Sequence, residues 1–463
     1  MSGHLTTDPG PRDGQETDWQ AVKAALGPVA WTDDPAQCKL KSRDFFWFSP
    51  ILKEELRGTT ADLVAMPRTE DEVLIVARTA ARHRVPVTVR GGGTGNYGQA
   101  VPLQGGIVLD MGAMNRIVWS RPGVAQIEAG ARLLDIDREL RPGGWELRLF
   151  PSTRRAATLG GFMCAGSTGI GAVTWGQNHF PGAVTAIRVA TVDEEPDIIE
   201  LRGADTGKVM HAYGVNGIVL SVELPLGPAY DWAERIVAFE TLVGAARFAQ
   251  ALGEADGLAK KLAAVMDARI APNFRMLAPF LPPGRALAFA MVAEHSLDGF
   301  EALAAEHGGT VVFERDARAA AAAAYEDTPG LPPIYEFTWN HTTLLALRAD
   351  RDITYLQCRY AVGRNIEQIA WAERQFGEEV LQHLEFQRRD GAVANYGLPL
   401  VRWTDRARLE EIIRAFEGAG IAVSNPHTYR LDAAGWKRVD VGGAAFKALA
   451  DPHGLMNPGK LPD

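Results

Sequence analysis

Between Arg90 and Gln99 the chain reads Arg-Gly-Gly-Gly-Thr-Gly-Asn-Tyr-Gly-Gln, with five glycines in the eight positions from Gly91 to Gly98. Successive N–H groups in such a stretch can form a concave nest around a pyrophosphate, meeting its charge with backbone dipoles instead of lysine or arginine. Gly93, Thr94, Gly95, Asn96, Tyr97 and Gly98 also fit the GxGxxG fingerprint of nicotinamide dinucleotide sites. That fingerprint requires the glycines to open a helix and an acidic residue about 20 positions on. The sequel here, Gln99 to Gly106, is instead a turn into a strand. A ligand-free glycine-rich hairpin is the plain alternative, and the entropy that unneeded glycine costs counts against it.

The second half of the chain holds the side chains that can move protons or grip a substrate. Leu381 to Arg389 alternates so that His383, Glu385 and Gln387 share one strand face, and Glu385 and His383 lead as candidate bases. Tyr355, Gln357 and Arg359 alternate against Thr354, Leu356 and Cys358, which offers the Arg359 cation for a carboxylate. His341, beside Asn340, and His427, within Asn425 to Tyr429, complete the set. For each strand a solvent-exposed polar face is the competing reading, and for each histidine a structural role.

The elements that must carry these residues are partly visible. Thr69 followed by Glu72 reads as a capping box opening a helix that carries Val73, Val76, Ala77 and Ala80 on one face and ends near His83. Val87 to Val89, Gly106 to Leu109, Val124 to Glu128, Ala186 to Ala190 and Ile353 to Gln357 read as strands. The small-residue segment Ala156 to Ala172, with Gly160, Gly161, Gly166, Gly169 and Gly171, is expected to hold backbone near a ligand. From Glu234 amphipathic helices alternate with strands, and the six alanines after Arg318 predict a surface helix.

Composition bounds the rest. A chain of 463 residues exceeds the roughly 250 to 300 that one hydrophobic core supports, so two domains are expected. The predicted division is a flexible arm over 1–15, a cofactor domain over 16–228, a substrate or cap domain over 229–440, and a segment over 441–463 returning to the cofactor domain. Forty-eight basic against 57 acidic side chains, a net charge of −9 and no dense cationic tract argue against nucleic acid. No stretch approaches the run of about 18 apolar residues that a membrane span needs, and the first 20 residues lack a signal-peptide core, so a cytoplasmic protein is expected. Cys38, Cys164 and Cys358 follow no metal or disulfide pattern and read as small buried hydrophobes.

Four segments in order carry a family resemblance. Pro86 to Gly98, PVTVRGGGTGNYG, resembles the FAD loop of the p-cresol methylhydroxylase (PCMH) and vanillyl-alcohol oxidase superfamily, which includes glycolate and D-lactate dehydrogenases. Pro151 and Ser152, followed by Ala157 to Gly161, resemble its second flavin-binding stretch, and Val215 to Val219 its GxxGIV strand near the adenine end. Asp451 to Lys460 resembles the C-terminal signature that returns to the flavin. The resemblance implies an α+β fold: a two-subdomain PCMH-type FAD-binding domain, plus a cap domain with an antiparallel sheet flanked by helices. It implies FAD contacts from Arg90, Gly91, Gly92, Gly93, Thr94, Gly95, Asn96, Gly98 and Gln99. Further contacts are expected from Pro151, Ser152, Thr158, Gly160, Gly161, Cys164, Gly166, Ser167, Gly217, Ile218, Val219 and Asn457.

Members that tether the flavin do so through a histidine or a cysteine at positions matching Thr94 and Arg154 here, so noncovalent FAD is expected. The family's closely spaced metal-binding histidines are not visible, so no metal is expected. The resulting expectation is oxidation of a small hydroxylated substrate, first a 2-hydroxy acid, by hydride transfer to FAD, with oxygen or another electron acceptor. His427 lies where hydroxy-acid dehydrogenases of this family carry a histidine. A polyol, aldonolactone or aromatic alcohol substrate is the alternative; a nicotinamide-dependent Rossmann enzyme, or a flavin-binding protein without catalysis, are readings of other classes. A homo-oligomer is compatible with the sequence, which does not decide it.

Overall fold

A computed structural model describes residues 17–166, 168–326, 329–432 and 441–461. The expected N-terminal arm and Ser167 lie outside the described residues. The Asp18 carboxylate caps the first described helix, Trp19–Ala25.

The cofactor half begins as a small sheet in the order Ala30–Thr32, Leu63–Met66, Ile107–Asp110, Val87–Arg90, the last three parallel. The helix Glu70–His83 crosses between Leu63–Met66 and Val87–Arg90 and buries Val73, Val76, Ala77 and Ala80 completely. Thr69 caps it by accepting the Glu72 N–H at 3.2 Å. The returning Glu72 carboxylate accepts from the Arg68 N–H at 2.8 Å, one residue earlier than the reciprocal box would place it. The left-handed Arg84, at φ 54°, ends the helix.

A second, antiparallel sheet orders Ile117–Arg121, Val124–Glu128, Ile218–Pro228, Ala186–Ala190 and Ile198–Arg202, with Trp145–Leu147 on the far end of Ile218–Pro228. The remaining half is built on an eight-stranded antiparallel sheet in the order Thr310–Arg315, Trp232–Phe239, Ala286–Ala293, Lys260–Met266, His383–Arg389, Ala392–Gly397, Cys358–Arg359, Ala422–Val423. Helices such as Leu242–Glu254 and Asn365–Phe376 pack on one face of it, against Val237, Val265, Leu384 and Phe386. The other face, through Ile236, Leu262, Ala264 and Phe289, shares a single core with Phe150, Ile170 and Leu224 of the cofactor half.

Two expectations change. The strand expected over Ile353 to Gln357 is split. Ile353–Tyr355 pairs with Leu400–Arg402 in a three-stranded sheet, and the chain enters the large sheet only at Cys358. At the crossing the Leu356 N–H bonds the Pro399 carbonyl while the Gln357 carbonyl takes the Ser424 N–H, so backbone groups stay paired although the ladder is broken. The alanine run does form a helix, Ala317–Tyr325, with Arg318 and Ala319 exposed, but Ala317, Ala320 and Ala324 are buried, so it packs one face inward and is not a wholly exposed element.

Candidate cofactor cleft and the wall that faces it

The glycine loop leaves the C-terminal end of Val87–Arg90, where ligands of open sheets with parallel strands gather. It opens no helix, which removes the structural requirement of the Rossmann reading. From Gly91 to Asn96 no backbone N–H donates to another described residue, leaving six consecutive donors along the wall of a cleft. The cleft encloses about 1270 Å³, part of it open to solvent. Glycine is required here partly for protein packing. A Cβ on Gly91 would fall 2.0 Å from Thr158 Oγ1, and one on Gly92 2.0 Å from the Ala156 carbonyl oxygen. The loop is thus pressed flat onto the second glycine-rich stretch, and its N–H groups are left facing the cleft. A row of donors with side chains only at Thr94 and Asn96 fits a diphosphate, so the residues suit FAD.

Most of the expected cofactor contacts meet in this cleft. Gly91, Gly92, Gly93, Thr94, Gly95, Asn96 and Gln99 line it, with Pro151, Ser152, Thr158, Gly160, Gly161, Cys164, Gly217 and Val219. Others stand behind the wall. The Arg90 guanidinium turns away to the carbonyls of Lys41 and Arg43, at 3.0 and 2.5 Å, and anchors the loop. Ile218 is buried in the core of the small parallel sheet. Gly166, at φ 68°, lies against the His211 ring, where a Cβ would come within 1.9 Å. Gly98 offers its carbonyl to the buried Lys460 Nζ at 2.6 Å.

Asn457 acts as a buckle. Its Nδ2 donates to the carbonyls of Gln99 and Tyr213, at 2.8 and 2.7 Å, and its own N–H bonds the Val87 carbonyl, so the C-terminal segment ties two parts of the cleft wall together. Thr94 lines the cleft, whereas Arg154 is buried in an ion pair with Asp137. Burial pushes the Cys164 thiol up to about 12, which leaves no thiolate at neutral pH.

The facing wall is made by Trp339, Asn340 and Gln357; the sequence singled out Gln357 in its alternating row and Asn340 beside His341, but not Trp339 or the additional lining residues Asp44, Tyr97, Tyr213 and Gly214. Asn96 Nδ2 donates to the Tyr355 hydroxyl at 2.7 Å, and the Tyr97 hydroxyl to Gln357 Oε1 at 2.7 Å, so the glycine loop grips the strand crossing directly. Trp339 sits at φ 51°, ψ −144°, a conformation that costs a non-glycine residue on the order of 1–3 kcal/mol. Glu385 holds it there. Its Oε1 accepts the Trp339 N–H at 2.7 Å and meets His383 Nε2 at 2.7 Å. Desolvation pushes the Glu385 carboxyl above its ordinary range, against the pull of His383 and of the Trp339 N–H. Of the signals for this wall, the alternations of His383, Glu385 and Gln387 and of Tyr355, Gln357 and Arg359 were readable, and the structure buries the first three on one face.

The five catalytic candidates do not line the cleft. Glu385 and His383 stand one layer behind Trp339. His427 uses both ring nitrogens, toward Ser49 Oγ at 2.8 Å and the Tyr355 carbonyl at 2.9 Å, which makes Nε2 the donor; burial holds its pKa down at about 4. His341 occupies the first turn of Asn340–Ala349, its pKa also lowered to about 4 by burial. Arg359 lies on the large sheet opposite Tyr396. Among the described residues no group of three or more His, Cys, Asp or Glu is placed to hold a metal ion, and no helix is long and apolar enough to cross a membrane.

Comparison with known proteins agrees with this geometry. Residues 61–195 match the family described as FAD binding domain. The chain is 36% identical over 149 residues to D-2-hydroxyglutarate dehydrogenase of Escherichia coli (strain K12), a match covering 30% of this chain and 14% of that protein. It is 28% identical over 184 residues to glycolate oxidase subunit GlcD of the same organism, covering 38% of this chain and 36% of GlcD. The matches thus span well under half of these relatives' length. In three dimensions, alkyldihydroxyacetonephosphate synthase superposes with a TM-score of 0.71 at 14% identity, covering 97% of this chain and 87% of that one. 4-Ethylphenol oxidase from Gulosibacter chungangensis superposes at 0.66 and 15%, covering 97% and 98%. Residues 61–195 therefore match the FAD binding domain family, and the chain shares the fold of these two solved structures.

Proposed function

We propose that the protein is an FAD-dependent oxidoreductase that oxidises the CH–OH group of a small substrate, a 2-hydroxy acid first, with FAD held noncovalently. The observation that carries this reading is one cleft with two unlike walls: the unpaired N–H groups of Gly91 to Asn96 on one side, and Trp339, Asn340 and Gln357 on the other. Bound FAD supplies the acceptor for the hydride that leaves the alcohol carbon. The chain's own residues bind and orient. The glycine loop takes the diphosphate, Asn457 keeps the loop and Tyr213 in register, and the Trp339 to Gln357 wall confines the substrate and excludes water.

Glu385, through the Trp339 N–H, fixes the orientation of that wall, and His383 Nε2 holds Glu385 from behind. Arg359, two residues beyond Gln357, is the proposed cation for a substrate carboxylate. A hydroxy acid ranks first because the two relatives aligned above are named for 2-hydroxyglutarate and glycolate.

The test is anaerobic mixing of the purified yellow protein with 2-hydroxy acids, polyols, aldonolactones and aryl alcohols while flavin absorbance is followed. Rapid bleaching by a hydroxy acid is expected, and reoxidation by oxygen or an added acceptor then identifies the electron partner. Bleaching only by the other classes would reassign the substrate. No bleaching by any class would remove the oxidoreductase reading.

A further inference from the structure

The run of alanines has a consequence that the cleft does not use. Ala317, Ala320, Ala321 and Ala324 follow the i, i+3, i+4, i+7 spacing of one helical face and form a wall of a second, small cavity that is partly open to solvent. Across from them stand Arg141, Arg154 and Lys261, with Glu146, Trp232 and Tyr335. The cavity lies where the cofactor half, through Arg141 to Arg154, meets the cap half, through Trp232, Lys261 and Tyr335.

The charges there do not balance. Glu146 takes Arg141, Lys261 and, at 2.8 Å, the Trp232 indole N–H, while Arg154 pairs with Asp137. Among the described residues three cations therefore face two carboxylates. Glu234, also on the wall, is matched by Arg315 at 3.0 Å and adds nothing to the sum. Arg154 is 2% exposed, yet among the described residues its Nε finds no acceptor, and neither does the buried Tyr335 hydroxyl beside it. A surplus buried cation beside unsatisfied donors is costly unless an anion meets it. Aromatic rings already surround the cations, with the Arg154 guanidinium 4.3 Å from the Phe150 ring centroid, so the space left is small and suited to a compact ion.

We propose that this cavity binds a small oxyanion, of the phosphate or carboxylate class, which is clamped between the two halves of the molecule by Arg154, Lys261 and Arg141. The alanine face is what keeps the room open.

The test uses the flavin-loaded protein and inorganic phosphate, with ionic strength held constant by a bulky sulfonate salt. Thermal unfolding should rise saturably with phosphate, on the order of a few degrees. Ala321→Leu, which fills the cavity, and Lys261→Met, which removes the surplus charge, should each raise the half-saturating concentration at least tenfold while flavin absorbance is retained. A flat response in the natural protein, or an unchanged response in Ala321→Leu, overturns the proposal. Because Lys261→Met removes a buried charge that also pairs Glu146, a measurement free of variants stands beside it. A crystal soaked in selenate should show an anomalous peak between Arg154 and Lys261, and its absence overturns the proposal equally. Flavin content and substrate bleaching report separately on the cofactor cleft, so failure of one reading is distinguishable from failure of the other.

Discussion

The two walls of the cofactor cleft are made of different material. On the Gly91 to Asn96 side the working groups are backbone N–H donors, held in place because the Thr158 hydroxyl and the Ala156 carbonyl lie 2.0 Å from where side chains on Gly91 and Gly92 would stand. On the Trp339 to Gln357 side the working groups are side chains, held by a hydrogen-bond chain running from His383 through Glu385 to the Trp339 backbone. Backbone recognition tolerates no added atom but needs no particular charge. Side-chain recognition tolerates small changes of shape but depends on partners two layers deep. The first suits a cofactor shared by many proteins, the second a substrate that differs between them.

The sharpest way to break this contrast is Gly92→Val. Its Cβ meets the Ala156 carbonyl, which cannot move without displacing the second glycine stretch, so the purified variant should carry essentially no flavin by its 450 to 280 nm absorbance ratio. A fully loaded variant would show that the glycines are not needed for close packing.

Next in size is a pH effect on the cap side. His427 stays neutral when folded, its pKa held by burial at about 4 against the ordinary 6.5 of a free histidine. Protonation therefore favours the unfolded chain. The contribution is present above pH 6.5 and is lost as pH falls toward 4, by roughly 3 kcal/mol at most. Urea midpoints should fall more steeply over that range in the natural protein than in His427→Gln, and parallel curves would place the proton elsewhere.

Asn457→Ala removes the buckle's two side-chain bonds to the wall and should cost about 2 kcal/mol, read as a lower urea midpoint with faster flavin loss on dialysis. Glu385→Gln keeps an acceptor for the Trp339 N–H but not the charge. Flavin occupancy should hold while KM for the substrate rises on the order of tenfold, worth about 1.4 kcal/mol. If kcat falls far more than KM rises, Glu385 touches the chemistry directly and is not a positioning residue. The smallest effect belongs to Cys164→Ser: flavin content should be unchanged, and acid precipitation of either protein should release all its flavin.

How legible each wall was follows from its construction. The small-sheet strands and the Glu70–His83 helix were readable because they rest on local rules of turn chemistry and periodicity, whereas the residues expected at the cofactor were those the family resemblance implied. Gln357 and Asn340 were named in the sequence without being placed on this wall, and nothing in its neighbours marks Trp339. Trp339 becomes a wall residue through a carboxylate 46 positions away, and Gln357 through a tyrosine 260 positions away. The polar alternation of His383, Glu385 and Gln387 was visible, but whether water or protein would cover it was not, since a strand's pattern marks its two faces without saying what packs on them.

By itself, then, the order of residues determined where backbone must be bare and where strands and helices begin, since a missing Cβ or a capping hydroxyl acts within a few positions. Only the tertiary structure decided which side chains face that bare backbone, that Arg90, His427 and Glu385 stand behind the wall, and that an alanine helix closes over surplus positive charge. Those outcomes depend on long-range packing and on the cost of burying charge, which are sums over contacts that no local stretch contains.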